Sequence, residues 1–257
     1  MSTTTTTYSA DSGSRGAERA RLFAQPIAVL LIVAAVLVWA FSSDLDSIEQ
    51  EQINAPSLLH YTWQHLVLSV VITVLVVVIA IPLGIMLTRT WAKPAAPFFL
   101  ALANIGQSAP SVGVLVLFFL WTGWEGVYAA APPIAFYALL PVLRNTIVGI
   151  QQVDPSLVDA GRGIGMSSGG VLRRIEIPLA VPLILAGLRT SLVLAVGTAT
   201  LAQFVDGGGL GEMIDTGYKL DRTSVLVVGA VLAVALALLV DWLGAVAERY
   251  LGPKGLQ

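Results

Sequence analysis

Six stretches of this sequence run apolar for the length of a bilayer crossing. Residues 22–41, 66–87, 97–121, 127–148, 179–205 and 224–245 carry no charge except Arg144, Arg189 and Asp241. A helix of about 20 apolar residues spans the hydrocarbon core of a bilayer. Inside that core every backbone N–H and C=O must be satisfied within the protein, which leaves helices or a closed barrel. Barrel strands alternate apolar and polar residues, whereas these runs are continuously apolar. The predicted fold class is therefore all-α, a polytopic membrane protein with six transmembrane helices. Composition agrees, since the chain is 56% hydrophobic and 12% charged, against roughly a quarter charged for a soluble domain.

The same composition closes off several classes of function. There is no cysteine, and two histidines, His60 and His65, are too few for a histidine cluster, so no disulfide, metal site or cofactor is expected. The net charge is −2 and no basic stripe could follow a phosphate backbone, so nucleic acid is not an expected partner. The glycine run at 207–211 has no Lys-Ser/Thr after it and no strand before it, unlike a phosphate-binding loop. A tight external turn or a re-entrant gate suits it better. The chain is not expected to be an enzyme, and no catalytic residue is assigned.

Charge placement sets the predicted topology. Residues 1–21 open with a Ser/Thr run and end with Arg15, Arg19 and Arg21, too polar to bury a core, and read as a disordered cytoplasmic tail. Residues 22–41 read as an additional N-terminal transmembrane helix, longer than the core of about 7–15 residues in a signal peptide. Ala40-Phe41-Ser42 leaves a cleaved leader open as the alternative. Residues 44–61, acidic through Asp44, Asp46, Glu49 and Glu51, read as an external loop, and the short turn at 122–126 makes a helical hairpin of its flanking runs. Lys and Arg collect in cytoplasmic loops. With both termini cytoplasmic, Arg89, Lys93, Arg144, Arg162, Arg173, Arg174, Arg249 and Lys254 lie on or near that face, and only Lys219 and Arg222 fall outside.

That orientation puts a polar, Gly-rich segment between the fourth and fifth runs in the cytoplasm. It reads Asp159-Ala160-Gly161, then Gly165, then Ile175, one residue, and Ile177-Pro178. An ordinary polar loop punctuated by Gly and Pro is the plain alternative. The spacing resembles the EAA loop of ABC-importer permeases, with Asp159 where Glu is usual and Gly161 where Ala is usual. The resemblance implies that residues 150–178 form a coupling loop whose short helices dock in a cleft of a separate ATPase subunit. Small residues and a turn glycine would then permit close approach of two backbones.

Further stretches are similar to the permeases of osmoprotectant importers, which carry glycine betaine, choline, carnitine and related quaternary ammonium solutes. These are residues 81–85, 103–111, 140–146, 187–190, 196–200 and 208–211, so the similarity covers about residues 60–250. Asp206 departs from the pattern, where Gly is usual. The resemblance implies a type I importer fold with a five-helix core, to which the helix at 22–41 is additional. It also implies the bacterial inner (plasma) membrane, a cytoplasmic ABC ATPase, an extracytoplasmic solute-binding protein, membrane lipid, and a second permease subunit, identical or paralogous. An importer permease for an amino acid such as methionine, or for another small betaine-like solute, is the alternative within the class. An ion-coupled secondary transporter is the alternative outside it, thinly supported by three intramembrane charges.

Polar groups at membrane depth usually face a bundle interior or an aqueous path. Asn104, Gln107, Ser108 and Ser111 cluster about Pro110, which breaks the helical ladder. They are candidates for a substrate pathway, together with Thr198, Thr200 and Gln203, and interhelical hydrogen bonding is the alternative. The small residues Gly187, Ser191, Ala195 and Ala202, and Gly229, Ala233 and Ala237, recur at helical spacing and favour close packing. Arg144 can snorkel to the headgroups. Arg189 lies deep enough to need a partner, and Asp241 is a candidate by depth. Trp63, Trp121, Trp124 and Tyr128 suit an interfacial belt or a cation–π relay for a quaternary ammonium.

Overall fold

The computed structural model describes the backbone of residues 12–251 and the side chains of residues 23–250. Helix α1 covers Ser12–Ser42, so it starts ahead of the apolar run, and Ala17, Glu18, Arg19 and Ala20 are strong helix formers that extend it. The tail expected to be disordered is thus helical from Ser12. Its residues 1–11 lie outside the described range.

The acidic stretch 44–61 is more ordered than an external loop. Asp46 accepts the Glu49 N–H at 2.8 Å and Glu49 accepts the Asp46 N–H at 2.9 Å. This capping box starts α2, Ser47–Gln52. Asn54 then accepts the Ser57 N–H at 2.9 Å and caps α3, Ala55–Leu87. The second crossing therefore begins well before residue 66. Arg222 donates to Asp46 at 2.6 Å and the Ser224 hydroxyl donates to Glu49, which ties α2 to the far end of the chain. The Glu49 backbone bond first, then Arg222, holds Asp46 below the ordinary carboxylate value.

The third run is not one straight crossing. Helix α4, Ala96–Ser108, and helix α5, Ser111–Thr122, are bent by 100° across Ala109 and Pro110. Proline offers no N–H to the preceding turn and drives its predecessor out of the helical region; Ala109 is extended at φ −68°, ψ 147°. Among the described residues five helices are long and apolar enough to cross a membrane, and six crossings result if the bent pair is one broken span.

Helix α6, Val127–Gln151, is the centre of the bundle, with α3 on one side and α9, Ile177–Ala199, on the other. Leu68, Ile72, Val76 and Ala80 repeat every fourth residue on α3 and are buried against Ala138, Val142 and Leu143 in one core. Small residues bring α6 and α9 close, as their spacing predicts. A Cβ on Gly187 would stand 2.7 Å from the Pro141 carbonyl, and Ser191 donates to the Ala138 carbonyl at 2.7 Å. Beyond α9 the chain tightens into a 3₁₀ turn, Thr200–Val205, and continues through α10, Leu210–Lys219, to α11, Thr223–Leu251. Helix α1 lies against α11 at the edge of the bundle.

Candidate functional site

The segment predicted to couple to an ATPase is built by local capping. Asp154 accepts the Ser156 N–H at 2.8 Å, a bond that holds its carboxyl below the ordinary value, and starts α7, Pro155–Gly163. At the other end the Gly165 N–H reaches the Arg162 carbonyl at 2.9 Å and the Met166 N–H reaches the Gly161 carbonyl at 3.1 Å. This is a Schellman stop, which needs a left-handed residue at its turn, and Gly165 supplies it at φ +84°. Ser167 then caps α8, Ser168–Val171, which continues into a π turn, Leu172–Glu176. The chain re-enters the bundle at Ile177-Pro178.

Two of the motif residues predicted from sequence meet. Gly161 is buried, and a Cβ there would lie 2.7 Å from Ile175 Cδ1 and 3.4 Å from Val171. The close approach is thus made by Gly161 within the subunit, whereas Gly165 is exposed and a Cβ on it would touch nothing. Asp159, Ala160 and Pro178 are exposed and Ile177 is half-buried. Leu157 and Ile164 flank the acidic Asp159 on the same loop, 47% and 77% exposed. Large apolar side chains left open to water beside one another are the kind of surface a partner covers. A recess of about 950 Å³ beside them is lined by Ile164, Met166, Leu172, Arg173 and Arg174.

One contact of this segment joins residues that no sequence motif links. Glu176 is 8% exposed and pairs with Arg89 at 2.7 Å, with a second hydrogen bond at 3.4 Å. Such a two-point fork fixes geometry as well as charge. It joins the 150–178 segment to the chain just past the C-terminal end of α3. The sequence signal was a lone acid between Ile175 and Ile177, in a segment whose other charges near it are Arg173 and Arg174.

The pathway candidates fall on two separate elements. Around the α4–α5 corner, Asn104, Ser108 and Pro110 are exposed and Gln107 and Ser111 half-buried. On α9 and its 3₁₀ extension Thr198, Thr200 and Gln203 are half-buried. Thr198 and Thr200 donate to their own helix, at Leu194 (2.7 Å) and Gly197 (2.8 Å), leaving oxygen lone pairs outward. Helix α5 packs on the 3₁₀ turn. Phe118 stands edge-on to Trp121 (6.2 Å) and Trp124 (6.0 Å), and Trp121 is 82% exposed.

The glycine run at 207–211 is a tight turn tied to α3. The Gly209 N–H is accepted by Gln64 at 3.1 Å, and the adjacent His65 is buried with Nε2 2.9 Å from the Val196 carbonyl. A carbonyl only accepts, so Nε2 carries the proton. Asp206, at a position where the resemblance implies Gly, adopts the left-handed φ of +62°. Asp tolerates that region better than most residues.

Comparison with known proteins agrees with this architecture. Residues 80–252 match the family model of binding-protein-dependent transport system inner membrane components. The chain is 43% identical over 206 residues to the glycine betaine/carnitine/choline transport system permease protein OpuCB of Bacillus subtilis, covering 80% of this chain and 94% of that protein. It is 35% identical over 217 residues to the osmoprotectant import permease protein OsmW of Salmonella typhimurium, covering 83% of this chain and all of that one. Among solved structures, an inward-facing methionine ABC transporter, MetNI, aligns with TM-score 0.67 at 24% identity, over 78% of this chain and 100% of the other.

Proposed function

This chain belongs to the inner-membrane components of binding-protein-dependent transport systems, and from that premise we propose that it is the permease subunit of an importer for a quaternary ammonium osmoprotectant. The observation that carries the cargo is the 43% identity, over nearly the whole length of the relative, to a protein named for glycine betaine, carnitine and choline. The methionine transporter, at 24% identity, speaks for the fold alone. A quaternary ammonium has a permanent charge and no N–H donor, so it suits aromatic faces and neutral oxygens. Trp121, Trp124, Asn104, Ser108, Thr198 and Thr200 offer those groups.

In this reading two permease subunits, identical or paralogous, enclose the path that a single chain leaves open at Asn104–Ser111 and Thr198–Gln203. An ATPase grips the surface of Leu157, Asp159, Ala160 and Ile164, and an extracytoplasmic binding protein delivers the solute. Closure of the ATPase pair moves α7 and α8, and the bundles rock between inward- and outward-facing states. The subunit contributes path and coupling, with both termini in the cytoplasm.

Proteoliposomes holding the complete complex are expected to accumulate glycine betaine, choline or a close analogue only with ATP inside. Robust ATP-driven methionine uptake without response to any quaternary amine overturns the cargo and leaves the importer standing. Topology has its own check, because the chain holds no cysteine. A cysteine replacing Ser47 should react with an impermeant maleimide from outside, and one replacing Ser168 only after permeabilisation. Labelling of the Ser168 position from outside inverts the orientation.

A further inference from the structure

Arg189 lies about 18 Å along α9 from Ile177, at 1.5 Å per residue, and so stands inside the bilayer region on the helix that leaves the coupling segment. It is gripped by one face of α11. Its Nε and Nη2 donate to Asp241 at 2.6 and 2.9 Å, in the two-point fork that fixes orientation. A further ion-pair contact runs from Nη1 to Glu248 at 3.7 Å. Between those acids, Gly244 leaves a slot for the arginine stem, since a Cβ on Gly244 would lie 2.9 Å from Arg189 Cγ and 3.2 Å from its Cβ. Asp241, Gly244 and Glu248 are spaced three and four apart, the spacing of one helix face.

The grip reaches a third helix. Gln25 of α1 donates to Asp241 at 3.4 Å and to the Leu238 carbonyl at 3.1 Å. Phe23 packs on Trp242 with centroids 6.4 Å apart. At the far end of the same pair Ala40 is buried in one cluster with Val225 and Val228. Contacts at both ends of α1 therefore bind it along α11, and the polar one sits on the carboxylate that holds Arg189. A charged pair at membrane depth is costly, and packing between apolar faces needs no such pair. Directionality is what the fork adds, because it fixes both the rotation and the axial register of α9 against α11.

We propose that Arg189 is a positioning residue for transport, clamping α9 to α11 and α1 so that all three move with the coupling segment as one rigid unit. The proposal rests on the importer reading above. It assigns α1, the helix additional to the five-helix core, a role as the outer brace of that unit. Arg189 touches no solute in this role and acts by holding α9.

A covalent replacement tests it. The 3.2 Å separation between Arg189 Cβ and a Cβ at Gly244 is close to the span of about 3.5–4.5 Å that a disulfide bridges. In the otherwise cysteine-free chain, the variant Arg189→Cys/Gly244→Cys/Asp241→Asn is assembled with its ATPase and binding protein in proteoliposomes. The reduced variant is expected to lose about tenfold in the stimulation of ATPase by the binding protein and in ATP-driven uptake. After oxidation both should return to within about twofold of wild type. An oxidised variant that is inactive while the reduced one transports overturns the proposal, because α9 must then slide on α11. Wild-type coupling in the reduced form overturns it equally. Failure of the wild-type complex to take up quaternary amines sinks only the cargo, since stimulation of the ATPase reads the clamp without it. If the cysteine variant does not assemble, Arg189→Asp/Asp241→Arg/Glu248→Gln takes its place. Restored stimulation relative to Arg189→Leu is expected, and an assembled but unstimulated complex overturns the proposal.

Discussion

Gly161→Leu is expected to remove ATP-driven uptake while the chain still inserts and its bundle still folds. The glycine is buried under Ile175, and a leucine there begins with a Cβ 2.7 Å from Ile175 Cδ1. Ile175 Cδ1 is the end of a flexible side chain and can yield to a Cβ alone, but the remaining leucine carbons must also displace Val171 and Met166, whose nearest atoms lie 3.4 and 3.6 Å from that Cβ. Overpacking of this kind costs about 1–3 kcal/mol, a change of about 5- to 150-fold in the population of the docking-competent loop. Gly165→Asn provides the contrast. That site needs a left-handed backbone and meets nothing on its side-chain face, and Asn is the usual substitute for Gly at such a stop. Uptake in proteoliposomes and ATPase stimulation by the binding protein check both. Wild-type uptake by Gly161→Leu removes the packed Gly161–Ile175 contact from the coupling mechanism.

The second large effect is expected at Glu176→Ala. It leaves Arg89 facing a pocket shaped for a carboxylate. Removing one partner of a buried pair costs about 3–5 kcal/mol, and because the Arg89 side chain remains 29% exposed a value near ~2 kcal/mol is appropriate here. The purified complex should inactivate at a temperature about 5 °C lower. The double variant Arg89→Ala/Glu176→Ala should be less damaged than the sum of the two single variants, as contacting residues are not additive. Equal and additive losses would assign the stability to side-chain packing and not to the pair.

What the sequence made legible followed from periodic or local signals. Apolar length sufficed for the helices at α1, α3, α6, α9 and α11, and small residues at four-residue spacing announced close packing on α9 without showing that α6 is its partner. Local capping was legible in principle, since Asp46-Ser47-Ile48-Glu49 has the form of a capping box, yet acidity drew it toward a loop. Pro110 signalled a break but not its 100° angle, which depends on how α4 and α5 pack on α6. Depth suggested Asp241 for Arg189. Nothing suggested Glu176 for Arg89 or Gln25 for Asp241, because pairs this far apart in the chain leave no periodic trace and exist only once the helices are docked.

Helix α3 touches both ends of this machine. Arg89, just past its C-terminal end, holds the 150–178 segment through Glu176, and nearer its N-terminal end Gln64 holds the glycine turn at Gly209 while His65 holds Val196. The 25 residue steps from Gln64 to Arg89 make an arm of about 37 Å at 1.5 Å per residue. Pivoted at its C-terminal end, such an arm turns a tilt of about 5° into a displacement of about 3 Å at the glycine turn, roughly the width of one hydrogen bond. A nudge too small to part Arg89 from Glu176 at one end is therefore enough to make or break the bond between Gln64 and Gly209 at the other.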